Sequence, residues 1–214
     1  KLTGSNYAGL QWETGTGDFN ADFQNDAVNI IPAPVLMAED EPGEDARISP
    51  SRGLGTSPTL VREFAGTRLF DSFANSIPPD THGAIGPDHF VIVTNTAFNV
   101  YSKASGLRIQ QRSLGSISPG TSGDPRILYD QYADRWVMVS TNFNNRIYMA
   151  VSATDDPTGS FFSFSWVASA GSDSGCFPDY PTLGLDDDGY YVGAFMAGCG
   201  FTLFTIDKAP LVAP

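Results

Sequence analysis

The chain states one pattern three times. Asp80 opens DTHGAIGPDHFVIVTN, Asp124 opens DPRILYDQYADRWVMVS, and Asp179 opens DYPTLGLDDDGYYVGAF. Each copy runs from an early aspartate through a short apolar stretch and a polar turn into a strand of alternating aromatic and β-branched residues. Asp124 precedes Trp136 by the same interval as Asp179 precedes Tyr191, and in that frame Ile127 and Leu128 match Thr182 and Leu183. A small antiparallel sheet cannot make a core by itself, so a repeat of this kind must bury its faces against its neighbours.

The spacing within each repeat predicts several short strands. In the first, FVIVTN is a strand, and AFNVYSKASGLRIQQRSL forms two more about a Ser105–Gly106 turn. RILYD, RWVMVSTN, RIYMAVSAT and the strictly alternating SFFSFSWVA build the second. TLGLD, YYVGAFMA and FTLFTIDK build the third. Tyr101, Tyr148 and Phe204 fall on third strands, where rings can fill the space between sheets. No segment carries a helical period. Short strands at even spacing with turn signals between them read as blades of an all-β β-propeller. Propellers close with four or more blades. Three recognisable copies therefore predict part of a ring, with further blades on a second chain or in a segment whose repeat is not visible. The predicted division is an irregular N-terminal extension over residues 1–59 and a partial propeller over residues 60–214. Within it, residues 60–73 are expected to form a strand pair or a short strand leading into the ring.

Composition narrows the partners. The formal charge is −12, from 24 acidic and 12 basic residues, which argues against a nucleic-acid ligand. No apolar run approaches transmembrane length. The chain begins at Lys1 with no visible signal peptide, so processing or truncation is expected. The two cysteines, Cys176 and Cys199, are expected to pair, which implies an oxidising compartment and a secreted or surface location.

The sharpest local motif lies in the extension. Asp18, Asn20, Asp22 and Asp26 place side-chain oxygens on alternating and then spaced positions of one loop, and the Gln24 carbonyl can add another. Calcium takes six to eight hard oxygen ligands, which such a loop can supply in large part. The loop resembles the calcium loop of the integrin-type FG-GAP repeat. A strand candidate, Ala27-Val28-Asn29-Ile30, follows in the expected place. Phe23 departs from the pattern, standing where glycine is expected for a tight turn.

The repeated aspartates Asp80, Asp124 and Asp179 form a second constellation. In a propeller, equivalent positions gather about the axis. Such carboxylates either accept backbone N–H bonds at the strand entry or line a ligand site in the channel. PPDTH at residues 78–82 puts His82 beside Asp80, a spacing that allows general-base chemistry. His82 and His89 are the only histidines, so a three-histidine metal site within the chain is excluded. Gly-x-Ser-x-Gly, HExxH and phosphate-loop motifs are all missing. Asp186-Asp187-Asp188-Gly189 suits a hairpin turn. Trp12, Trp166 and Tyr180 are rings that could stack on sugars.

From Ile77 to about Lys208 the chain resembles a group of secreted bacterial β-propeller domains, mostly without an assigned function. The resemblance rests on PPDTHGAIGPDHFV, TAFNVYSKASG, GDPRILYDQYADRWV, AVSATDDPTGSFF and FPDYPTLGLDDDGYYVG. It implies an extracellular or surface setting and supplies no catalytic residue. The expected function is a secreted, calcium-stabilised propeller portion that binds glycan or protein. The alternative is a carbohydrate-active hydrolase or lyase in the assembled channel. Asp80, His82, Asp124 and Asp179 would then be its acid–base groups, and Arg126 or Arg135 would neutralise a sugar carboxylate.

Overall fold

Among the described residues, eleven strands follow the three repeats in order. The computed structural model describes residues 60–212. β1 (His82–Ile85), β2 (His89–Val93), β3 (Ala97–Ser102) and β4 (Arg108–Ser113) form the first antiparallel sheet, paired in chain order. β5 (Gly123–Asp130), β6 (Arg135–Thr141), β7 (Arg146–Ser152) and β8 (Phe161–Val167) form the second in the same way. β9 (Phe177–Leu185), β10 (Gly189–Ala197) and β11 (Gly200–Asp207) form a third sheet of three strands with β10 central. Two single-turn helices, α1 (Leu114–Ile117) and α2 (Ala209–Val212), are the α-helical elements among the described residues. The protein is all-β, and its sheets are consecutive blades of a partial β-propeller. No helix among the described residues is long and apolar enough to cross a membrane.

Alternation explains the stacking. On β6, Trp136 and Met138 point to the first blade, while Val137 and Val139 point to the third. Successive strand residues face opposite sides of a sheet, so the second blade is apolar on both. Its first-blade side buries Trp136, Met138, Ile127 and Ala150 against Val91, Val93, Phe98 and Val100. Its other side buries Val137, Val139, Ile147, Met149 and Val151 against Tyr190, Val192, Ala194 and Met196. Burying each of the Val, Ile, Phe and Met side chains among them is worth about 1.5–3 kcal/mol. These two layers are the core of the unit that runs from Phe64 onward. Residues 60–63 belong to a separate unit whose remainder lies outside the described residues.

Two expectations are revised. The stretch 60–73 contains no strand. Instead, the Phe70 amide donates to the Ala74 carbonyl at 2.8 Å and the Ala74 amide to the Asp71 carbonyl at 2.9 Å, which ties the chain into a tight loop. The first blade also has an innermost strand, β1, that its sequence HGAI does not announce, since glycine and alanine are poor strand formers.

A buried polar clamp joins the second and third blades. Asp130, at the end of β5, accepts from Lys208 Nζ at 2.9–3.0 Å and from Tyr190 Oη at 2.8 Å. The same Lys208 ammonium donates to the Asp186 carbonyl at 2.8 Å. Asp130 also caps its own hairpin by accepting from the Tyr132 amide at 2.9 Å. Burial pushes the Asp130 pKa up, but the bonds from Lys208, Tyr190 and Tyr132 outweigh it and hold the pKa below the usual carboxylate range. The paired cysteines close the loop between β8 and β11: Cys176 and Cys199 form a disulfide across a separation of 23 residues.

Removing Lys208 strands a buried carboxylate. Lys208→Met is expected to cost about 3–5 kcal/mol, read from urea unfolding. Reducing the Cys176–Cys199 bond is expected to lower stability by about 2–4 kcal/mol, read from unfolding with and without dithiothreitol.

Candidate functional site

The innermost strands β1, β5 and β9 pack side by side, and their entries meet at one end of the stack. Each entry is kinked. Asp80 has φ 42°, Asp124 φ 51° and Tyr180 φ 46°. Positive φ is costly for residues other than glycine and persists only where the surroundings enforce it. Register slips beside two of them, between Gly123 and Arg126 and opposite Gly193–Phe195, in the manner of β-bulges. The bulges fix the true frame of the repeats. Asp124-Pro125-Arg126 corresponds to Tyr180-Pro181-Thr182, and Ile127 to Leu183, since both of the latter point to the preceding blade. The third repeat is therefore displaced by one residue from the frame that aligns Asp179 with Asp124.

A hydrogen-bond relay runs across the entries. Asn95, just beyond β2, donates from Nδ2 to the Pro78 carbonyl at 3.0 Å and to Asp80 Oδ2 at 2.5 Å. Its Oδ1 accepts from the Asp124 amide at 2.7 Å. Asp124 Oδ2 then accepts from the Tyr180 amide at 3.0 Å. One chain of bonds thus joins the first blade to the second and the second to the third. Each kinked residue has its backbone or side chain in this relay, which is why the strained φ values hold.

The three sequence-predicted aspartates do come together. Asp124 is buried, shares a side-chain hydrogen bond with Asp179 and feels the charge of Asp80. Burial is the largest cause of its shifted pKa. The Tyr180 amide lowers the value, while Asp179 and Asp80 raise it, leaving it pushed up to about 6 from 3.8. Like charges at close range resist joint ionisation. Asp124 thus keeps its proton into mild acid, where an ordinary aspartate has already lost it.

His82 is half-buried, and one of its ring nitrogens is engaged by the second blade. Its Nδ1 accepts from the Ile127 amide at 3.2 Å, which holds the ring against the second blade. Burial lowers its pKa, and the Arg126 charge lowers it further, so the imidazole stays neutral near pH 7. Arg126 is buried with its guanidinium 4.0 Å above the Tyr180 ring centroid. One of its nitrogens donates to the Pro125 carbonyl at 2.8 Å, and Nη2 has no hydrogen-bond partner among the described residues. Tyr180 itself is 57% exposed. The group combines acceptors, a spare guanidinium donor and an exposed ring.

The other sequence candidates lie elsewhere. Arg135 donates to the Ala133 and Asp134 carbonyls in the β5–β6 turn, away from the entries. Trp166 packs on Phe204 with ring centroids 5.7 Å apart, between the second and third blades. Asp186 caps its hairpin by accepting from the Asp188 and Gly189 amides, both at 2.9 Å. Asp18, Asn20, Asp22, Gln24, Asp26 and Trp12 lie outside the described residues. Asn95 is the residue that sequence reasoning missed. Its signal was weak: an amide in the turn after a strand is ordinary, and only its position beside two strand entries makes it a relay. No protein-family model matches the chain, and no curated protein matches it either.

The raised Asp124 pKa has a definite sign. Between pH 3.8 and about 6 the folded state binds more protons than the unfolded, so this group's contribution to stability falls as pH rises through that window. Asp124→Asn, which keeps an acceptor for the Tyr180 amide, is expected to raise stability at pH 7 by about 1–3 kcal/mol and to flatten that slope. Thermal unfolding of both proteins from pH 4 to 7 checks it. Asp130 acts in the opposite sense, with its contribution lost as pH falls below 3.8.

Proposed function

We propose that the protein is a secreted, calcium-stabilised β-propeller portion that binds glycan at the strand-entry cluster. The observation that carries this reading is Tyr180: an exposed ring held at a strained φ, backed on one face by Arg126 and tied through its amide to Asp124. Aromatic rings offer a flat apolar surface with a polar tip, suited to the C–H face of a sugar. Asp80, Asp124 and Asp179 supply acceptors for hydroxyl groups, and Arg126 Nη2 supplies a free donor. Few polar groups placed around an apolar contact are what orient a small ligand.

Binding is favoured by what already engages the candidate groups: Asp124 Oδ2 accepts from the Tyr180 amide, Asp80 Oδ2 from Asn95, and His82 Nδ1 from the Ile127 amide. The disulfide supports an oxidising, extracellular setting. Calcium enters on the sequence of residues 18–26, whose oxygens Asp18, Asn20, Asp22, Gln24 and Asp26 would hold it.

Tyr180→Ala is expected to weaken glycan binding at least tenfold in titration calorimetry while leaving the unfolding transition near its original midpoint. Failure of the unmodified protein to bind any member of a broad glycan array would reject the reading. Chelation with EDTA is expected to lower Tm by roughly 5–10 °C if calcium is present at about a hundred times its Kd, and re-addition should restore it.

A further inference from the structure

Two apolar surfaces are left uncovered among the described residues, one at each end of the blade stack. At the third-blade end, Tyr180, Thr182, Gly193, Phe195, Phe201 and Leu203 line a groove of about 370 Å³. Phe201 is 86% and Leu203 67% exposed, and the Phe195 and Phe201 rings touch with centroids 5.2 Å apart. The repeat makes this surface unusual. Leu203 pairs with Gly193 on β10 as Met149 pairs with Val139 on β6 and Phe98 with Val93 on β2. Phe98 and Met149 are fully buried, each by the face of the following blade. The groove therefore continues an interface that the molecule already uses twice, with no further blade among the described residues to cover it. Along the same face, Thr205 and Asp207 are exposed and polar, so the uncovered apolar part is confined to the half around Phe201 and Leu203.

At the first-blade end, a loop presents Leu69, Phe70 and Phe73 outward. Phe70 has φ 69° and Phe73 φ 65°, a strained conformation for phenylalanine. The loop is pinned rather than free. Asp71 Oδ2 receives Arg108 Nη1 at 2.7 Å and the Arg68 amide at 3.1 Å, and Gln111 Nε2 donates to the Ser72 carbonyl. Both anchors, Arg108 and Gln111, come from β4. The result is a rigid apolar knob on the face that precedes the first blade, with Ile85 of β1 also exposed on that side.

We propose that the Phe70–Phe73 knob of one molecule seats in the Phe201–Leu203 groove of a second copy, and that two such contacts close a head-to-tail ring of two chains. The second blade separates knob from groove within one molecule, so they satisfy each other only between molecules. Each is an exposed apolar surface of the kind that soluble monomers rarely leave open. Unlike surfaces in contact make a heterologous interface, which forms a ring when the rotation closes. Two stacks of the three described blades give six, within the ordinary range for a closed propeller. Tyr180 borders both the groove and the proposed glycan site, but the contact itself rests on Phe70, Phe73, Phe201 and Leu203, none of which the glycan reading uses.

Light scattering coupled to size exclusion tests it, with the chain at about 50 µM, well above a micromolar Kd. Wild type is expected at twice the chain mass of 22.9 kDa. Phe70→Asp and Phe201→Asp are each expected to run at the single-chain mass, with unchanged near-ultraviolet dichroism because both side chains are exposed. Leu203→Lys serves as a second groove variant if Phe201→Asp does not fold. Mixing the knob variant with the groove variant restores one intact contact and should give a weaker two-chain species. A wild-type protein at the single-chain mass overturns the proposal. So does a two-chain species that these variants leave intact, a mixture that stays at the single-chain mass, or a mass that grows without limit as concentration rises.

Discussion

Face-to-face burial of sheets is the interaction on which everything else depends. The second blade is apolar on both faces, with Trp136 and Met138 turned one way and Val137 and Val139 the other. It cannot be stable without a sheet on each side, and it has one. Hydrophobic burial is strong but undirected, so it sets neither the rotation of one blade against the next nor the register of their inner strands. Polar contacts supply that. Near the hairpin end of the inner strands, Asp130 ties the second blade to Tyr190 and Lys208 of the third. At their entries, Asp80, Asn95, Asp124 and the Tyr180 amide form the other tie.

These two ties respond to acid in opposite ways. The Asp130 clamp is a carboxylate stabilised by a cation and hydrogen bonds, and it weakens only in strong acid. The entry relay contains a buried carboxyl beside two others, and it is most comfortable when Asp124 is protonated. The protein thus keeps a strained, partly protonated group where the innermost strands meet and a well-satisfied ion pair at the opposite end. Strain of that kind concentrates at recognition sites. The same logic places the ligand reading at the entries rather than at the clamp.

Much of the fold was legible because alternation is a local signal. The strands of RWVMVSTN, RIYMAVSAT and YYVGAFMA occupy the predicted segments, and the cysteines pair as expected. β1 was hidden because Gly83 and Ala84 carry no strand preference, and only pairing with β2 makes them a strand. The third repeat was misaligned by one residue because a bulge adds a position that no sequence spacing reveals. The aspartates were found, and Asp124 accepts a backbone amide at a strand entry as one of the two expected roles has it, but their inequivalence was not legible. Asp124 and Asp179 look equivalent in sequence, yet Tyr180 holds the equivalent kink. Asn95 was invisible for the same reason: its function lies in bonds to residues fifteen and twenty-nine positions away.

The central claim is that the entry relay physically couples the blades. Amide hydrogen exchange measures this most directly. Asp124 and Tyr180 sit near strand starts, where exchange is ordinarily fast. The account predicts that both amides exchange slowly, at rates close to those of Val139 and Val192 in the core. It also predicts that Asn95→Ala releases Asp124 and, through it, Tyr180. Fast exchange at both amides in the unmodified protein, or protection that survives Asn95→Ala, would contradict it.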